Sequence, residues 1–263
     1  MGKRRAAWDY DHYLRYLKEG RGQGEGAAYK PWICIQDFPS LGVCARPLGI
    51  KTGRVHHLLS RNEEFYFILL DTDPDVLDIR EQFPLRLTET LRLAESLGIR
   101  HPYKGKYFDV MTTDFLITRK DGLHARTVKQ TEELEKDRVR EKFSIEYAYW
   151  KGKGIDWKIV TEKEINRDRA RNLQWLYCGE DAQAMIPDTE LYSRSRTAML
   201  DLLAEKEFPL RTIIEILEEG LLLPAGAGMA VYKSLIRDGS ITVDLEKRID
   251  RSVATDRRPY GDI

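Results

Sequence analysis

Cysteine is scarce in this chain of 263 residues: Cys34, Cys44 and Cys178 are an odd number with no CxxC pair. That excludes a disulfide framework and reads as reduced, intracellular thiols. The five histidines, His12, His56, His57, His101 and His124, have no structural zinc spacing with those cysteines. No run of 18 apolar residues exists, so no transmembrane helix is expected. The start lacks the apolar core of a secretion signal, and a cytoplasmic protein without a membrane partner is expected. Net charge is missing as well. Lys plus Arg is 43 and Asp plus Glu is 43, so bulk charge does not announce a nucleic-acid binder. No internal repeat or low-complexity tract is visible.

What is present is enough for a core. The chain is 42% hydrophobic and 10% aromatic, and its length fits two domains or one large one. Charge is unevenly spread. Residues 1–60 are net +5 and residues 201–263 net −3. The basic arm Lys3-Arg4-Arg5 suits phosphates, or is a solvated tail.

The pattern predicts a helix from Asp9 to Glu19, a flexible loop at 20–26, and irregular structure or short strands at 31–46. Ser60 and Glu63 have capping-box spacing, which opens a buried helix. A strand is expected at 76–83, a helix at 87–97, and one long strand at 107–118. Lys120-Asp121-Gly122 is a hairpin turn with a returning strand at 124–129. Residues 131–150 read as a helix with a solvated face and 155–161 as a strand. Thr161 and Glu164 give a second capping box opening a helix toward Tyr177. Beyond it, helices are expected at 188–205, 209–219 and 225–239, then a short strand at 240–245. The fold class is α/β: a core with a mixed sheet over 1–168, and a mostly helical, winged-helix-like domain over 169–263. The acidic balance of that second part favours protein contact over DNA reading.

Three residues carry the chemistry. Asp114 lies in a largely apolar strand, where an ionised carboxylate is expensive without a partner. The tight hairpin brings Lys129 back beside it, and Glu63 opens a helix. Two carboxylates and a lysine converging at a sheet edge suit magnesium-assisted phosphodiester hydrolysis. The bland readings stand beside this one. Glu63 is then only a capping partner, and Asp114–Lys129 only a cross-strand ion pair. His56 and His57 are neighbours that point to opposite sides of a strand, which favours core or DNA-facing roles over a metal pair.

Several stretches together resemble the TnsA family, the endonuclease subunit of a heteromeric bacterial transposase. They are EGRGQGEG, YKPW, KTGRVHHLLS, VLDIREQFPL, HPY, MTTDFL, EKEI and NLQWLY, in family order over about residues 19–178. The resemblance implies a restriction-endonuclease-like core with a helix glutamate, a strand aspartate and a Gln/Glu-x-Lys element. These fall on Glu63, Asp114 and Thr127-Val128-Lys129. Glu63, Asp114 and Lys129 are then catalytic. Glu63, Asp114 and the Val128 carbonyl are then metal ligands. Thr127 departs from Gln or Glu, and its hydroxyl is a poorer ligand. Val43 stands where the family often has an arginine, while Arg46 is kept. Arg21, Lys51, Arg54 and His57 are candidate phosphate contacts.

The resemblance further implies Mg2+ as cofactor, with Mn2+ substituting, and cleavage of the 5′, non-transferred strands of transposon-end DNA. A TnsB-type transposase and a TnsC-type AAA+ ATPase are the implied partners, the second through the carboxyl-terminal domain. Two other readings remain open: a stand-alone restriction-like or junction-resolving nuclease, and a non-catalytic adaptor that recruits the ATPase. Only Thr127 favours the adaptor.

Overall fold

A computed structural model of the protein describes residues 10–37, 44–205 and 208–249. The arm Lys3-Arg4-Arg5, the cap Asp9 and Val43 lie outside these residues. The chain divides into two compact units, Met1–Asn166 and Arg167–Ile263.

The first unit starts with α1 (Tyr10–Lys18). Its buried Tyr16 meets Trp32 edge-on at 5.3 Å between ring centroids. The segment after it runs through short turns and two isolated bridges, Ala45 to Leu58 and Leu48 to Val55. Then come α2 (Arg61–Asp71), β1 (Val76–Pro84) and α3 (Leu87–Ser96). The rest is β2 (Tyr103–Lys104), β3 (Tyr107–Phe108), β4 (Thr112–Arg119), β5 (Gly122–Val128), α4 (Asp137–Gly152) and β6 (Asp156–Val160). The main sheet has the order β1-β4-β5-β6. β1, β4 and β5 are antiparallel neighbours, and β6 lies parallel to β5. Parallel neighbours need a crossover, and α4 supplies it.

Helices cover both faces. Leu116 and Ala125 pack with Ile145, Tyr149 and Trp150 of α4. Phe115, on the other face, meets Tyr66 of α2 edge-on at 5.7 Å. Side-chain alternation in a strand explains why neighbouring apolar residues serve two helices.

Three expectations for this unit change. The long strand at 107–118 is broken. Gly105, at φ +68, turns Tyr107–Phe108 back onto Tyr103–Lys104, and the Asp109 amide donates to the Pro102 carbonyl. The helix expected over 131–150 starts instead as a 3-10 turn, Thr131–Glu135. Thr161 and Glu164 do close on each other, with amide and hydroxyl of Thr161 donating to Glu164 Oε2 at 2.7 and 2.6 Å. That closure makes a turn only, and the helix begins at Arg167.

The second unit is helical: α5 (Arg167–Tyr177), α6 (Ala182–Met185), α7 (Thr189–Glu205), α8 (Leu210–Gly220) and α9 (Ala227–Arg237). α9 is its centre. Ala227, Ala230, Val231, Tyr232, Leu235 and Ile236 are all buried, which is the signature of a helix surrounded by others. Leu176, Met199, Leu203, Ile213 and Leu217 close around it. The strand expected at 240–245 is absent, and no strand occurs among the described residues of this unit. A strand needs a neighbour to pair with, and none exists among the described residues of this unit. Asn172 takes over instead. Its Nδ2 donates to the carbonyls of Leu245 and Lys247 at 2.9 and 2.7 Å. The winged-helix expectation therefore loses its wing.

Candidate active site

Ser60 caps α2. Its Oγ accepts from the Glu63 amide at 3.2 Å. Glu63 Oε2 in turn accepts from the Leu59 amide at 2.9 Å, so the carboxylate braces the helix start from inside. The same oxygen accepts from Gln82 Nε2 at 3.4 Å, and that amide also donates to Asp114 Oδ1 at 3.3 Å. One amide nitrogen thus touches both carboxylates, and they lie within two hydrogen-bond lengths of each other.

A break in strand regularity aims Asp114. Residues two apart in a strand share a face. Yet Thr113 donates to Glu146 of α4, while Phe115 packs on Tyr66 of α2. The facing reverses across Asp114. Opposite it, Gln82 adopts φ +49, a left-handed backbone that a non-glycine residue rarely takes. The β4–β5 ladder stops at Phe115–Arg126, and beyond it Asp114 Oδ2 accepts from the Val128 amide at 2.7 Å. The site sits where these two strands part.

Charge is poorly compensated there. Burial raises the Glu63 carboxyl, and the Asp114 carboxylate raises it further. Burial also raises Asp114, against the pull of the Val128 amide, Gln82 and the more distant Lys129 ammonium. Lys129 forms no ion pair at contact distance with Asp114, so the cross-strand ion-pair reading does not hold. Its amide donates to the Val160 carbonyl at 2.9 Å, which ties the end of β5 to β6.

Thr127 is a correction. Its Oγ1 donates to Glu146 Oε1 at 2.5 Å and accepts from Trp157 Nε1 at 3.3 Å. It therefore serves α4 and makes no bond to Glu63 or Asp114. Among the phosphate candidates, Arg54 is a correction too. Its buried guanidinium donates to both Glu81 oxygens, at 2.8 and 2.5 Å, and to the Ile79 carbonyl. Arg21 is likewise engaged, donating to Asp37 Oδ2 at 2.5 Å and lying 3.6 Å over the Tyr16 ring. His57 Nδ1 accepts from the Ile35 amide. Arg21, Arg54 and His57 do line one cleft with Lys18 and Lys30, while Lys51 is not part of that lining. Of Lys51, the amide donates to Asp71. His56 is fully buried between Glu81 and Thr52, which is the core role.

Two residues escaped the sequence reading. Gln82 lies in the strand expected at 76–83, and nothing in its pattern marked it out. Glu146 looked like one more charge on a solvated helix, yet it is buried. Its Oε1 accepts from Thr113, Thr127 and Trp157 at 2.6, 2.5 and 3.0 Å. Burial lifts its carboxyl to about 7. Its apolar neighbours at helical spacing, Ile145 and Tyr149, were the available signal.

Among the described residues, no three of His, Cys, Asp and Glu form a ready metal cage. Two buried carboxylates facing a shared donor nevertheless fit magnesium, which takes one or two carboxylates and completes its shell with water and phosphate.

The chain matches two family descriptions: "TnsA-like endonuclease N terminal" over residues 73–162, and "TnsA endonuclease C terminal" over residues 164–245. It is 44% identical over 180 residues to the Transposon Tn7 transposition protein TnsA of Escherichia coli, which covers 67% of this chain and 66% of that relative. The alignment thus spans just under two thirds of the relative's own length. With both parts of the family's architecture matched in order along one chain, the protein belongs to the TnsA family.

Proposed function

We propose that this protein is a magnesium-dependent endonuclease that cuts the 5′, non-transferred strands at transposon ends during cut-and-paste transposition. The observation that carries it is the buried Glu63–Asp114 pair, converging on one amide where β4 and β5 part. Glu63 and Asp114 would hold the cation, with the Val128 carbonyl as a further ligand from the strand beside them. Bound there, magnesium neutralises the scissile phosphate and lowers the pKa of a water. The protein's own part is placement. Gln82 keeps the two carboxylates at a fixed spacing, and the Val128 amide fixes the Asp114 rotamer. The Lys129 ammonium, whose field reaches Asp114, orients the attacking water or offsets charge that grows on the phosphate. A TnsB-type transposase would cut and join the 3′ ends, and a TnsC-type AAA+ ATPase would couple both to target choice. A soluble cytoplasmic location follows from action on DNA, and no helix among the described residues is long and apolar enough to cross a membrane.

Asp114→Ala tests this. The substitution removes a carboxylate and leaves the second unit untouched. With transposase and ATPase present, 3′ cutting and joining should continue while the 5′ strands stay attached to donor DNA. The product then changes from a simple insertion to a fused donor–target molecule, read by sequencing both strands at the junctions. Simple insertions from Asp114→Ala would make Asp114 structural and end the catalytic reading. Efficient cutting of free DNA by the wild-type chain alone would favour the stand-alone nuclease.

A further inference from the structure

Between Glu95 and Asp109 the chain carries no acidic residue, but it holds Arg100, Lys104 and Lys106. This is the stretch that β2 and β3 fold into a two-stranded ribbon. Three aromatic rings stand out on it: Tyr103, Tyr107 and Phe108 are 45%, 47% and 40% exposed. Such rings are normally covered, and an exposed cluster of them is unusual. The rings are ordered. Tyr103 and Phe108 meet at a tilt of 34° with centroids 4.7 Å apart, and the Arg100 guanidinium lies 5.1 Å from the Tyr103 centroid. The base is fixed too. Buried His101 meets Thr90 of α3 and the Pro102 carbonyl, both at 3.0 Å, and its ring contacts Phe108 edge-on. Exposed Lys142 of α4 adds a further cation close enough to act on Asp109, at the foot of the ribbon. Lys106, at the tip, forms no ion pair with a described residue.

We propose that the β2–β3 ribbon grips duplex DNA beside the scissile phosphate, with Lys104 and Lys106 on backbone phosphates and Tyr107 against sugar or base edges. The charge is complementary to a polyanion, and the width of a two-stranded ribbon fits a major groove. Aromatic faces interleaved with cations suit nucleotides better than an acidic protein surface. Position agrees. Asp114 follows Lys106 by eight residues, so the tip lies at most about 28 Å of chain from the carboxylate pair. At 3.4 Å per step along one strand, that reaches roughly eight nucleotides. The proposal rests on the nuclease reading and adds to it the surface that holds substrate.

The test uses the full-length protein and a duplex carrying the transposon end. Fluorescence anisotropy over a KCl series should show the salt slope of wild type fall by about 2 in Lys104→Ala/Lys106→Ala, near 0.9 for each phosphate no longer neutralised. Tyr107→p-benzoylphenylalanine should crosslink to DNA within about eight nucleotides of the cut. An unchanged slope, or no crosslink from position 107 to DNA that wild type binds, overturns the proposal while leaving the nuclease reading intact. A wild-type protein that shows no salt-dependent binding overturns both.

Discussion

Glu81 and Glu146 are both buried carboxylates in the first unit, and they behave in opposite ways. Burial alone would raise Glu81, but hydrogen bonds from Arg54 and His56 hold it down to about 2. Its contribution to stability is complete above the unfolded value near 4.5 and is lost as pH falls toward 2. Glu81→Gln should remove that stretch of the acid limb. It also strands the Arg54 charge, with an expected loss of about 3–5 kcal/mol at neutral pH in urea unfolding. Glu146 is raised instead, so the folded state holds its proton longer than the unfolded chain. Stability then declines as pH rises from about 4.5 to about 7. Glu146→Gln keeps an acceptor for Thr113, Thr127 and Trp157 but has no proton to lose. Its stability should be flatter across that window, with a relative gain on the order of 3 kcal/mol at pH 8. A decline as steep as wild type would mean that Glu63 and Asp114 alone set the slope. Thr127→Glu follows the same logic. A ligand role would favour the carboxylate, but the structure puts it against Glu146. The fold should therefore weaken, and magnesium affinity should not rise, in thermal melts with and without the cation.

The irregularity in β1 and β4 is what turns ordinary elements into a site. Gln82 holds left-handed backbone at φ +49, which costs a non-glycine residue about 1–2 kcal/mol. Glycine escapes that cost. Gln82→Gly and Gln82→Ala both lose the bridging amide, yet the glycine variant should be about 1 kcal/mol more stable, the reverse of the usual order in a strand. Equal stabilities would mean that the strand relaxes once the amide is gone. This device also marks the limit of what the sequence reveals. The cap at Ser60, the hairpin at Lys120–Asp121 and the spacing of Asp114 to Lys129 are local signals, and Glu63 and Asp114 meet where those signals converge. A reversal of facing is not local. It depends on the side-chain contact of Gln82 with Asp114 across two strands and on a helix carboxylate 32 residues after Asp114, so Gln82 and Glu146 stayed hidden. The strand expected at 240–245 failed for the same reason in reverse. Its alternation is genuine, but pairing needs a neighbour that the described residues of the second unit do not provide.

Across the whole molecule, the apolar clusters assign residues to units more sharply than the pattern of helices does. One core gathers Leu85, Leu116, Ile145 and Trp150, and another gathers Leu176, Ala182, Met199 and Val231. Leu176 and Ala182 both precede residue 185. A fragment ending there would carry α5 and α6 without the helices that bury them. The cut belongs at Asn166. A 1–166 fragment keeps Glu63, Gln82, Asp114, Lys129 and Glu146, and both helices that cover the sheet. It should unfold in one cooperative urea transition, whereas a 1–185 fragment should bind a dye specific for exposed apolar surface. Function should divide at the same place. Residues 201–263 are net −3, which works against phosphate contacts; under the proposed function, the second unit is the part that would contact the ATPase. The 1–166 fragment should bind Mn2+ like the full chain and fail to retain the ATPase in a pull-down. Mn2+ binding serves as the control for folding, because loss of both would only report a damaged fragment. Mn2+ binding together with normal ATPase capture would place the docking surface on the nuclease unit and remove this role from the helical one.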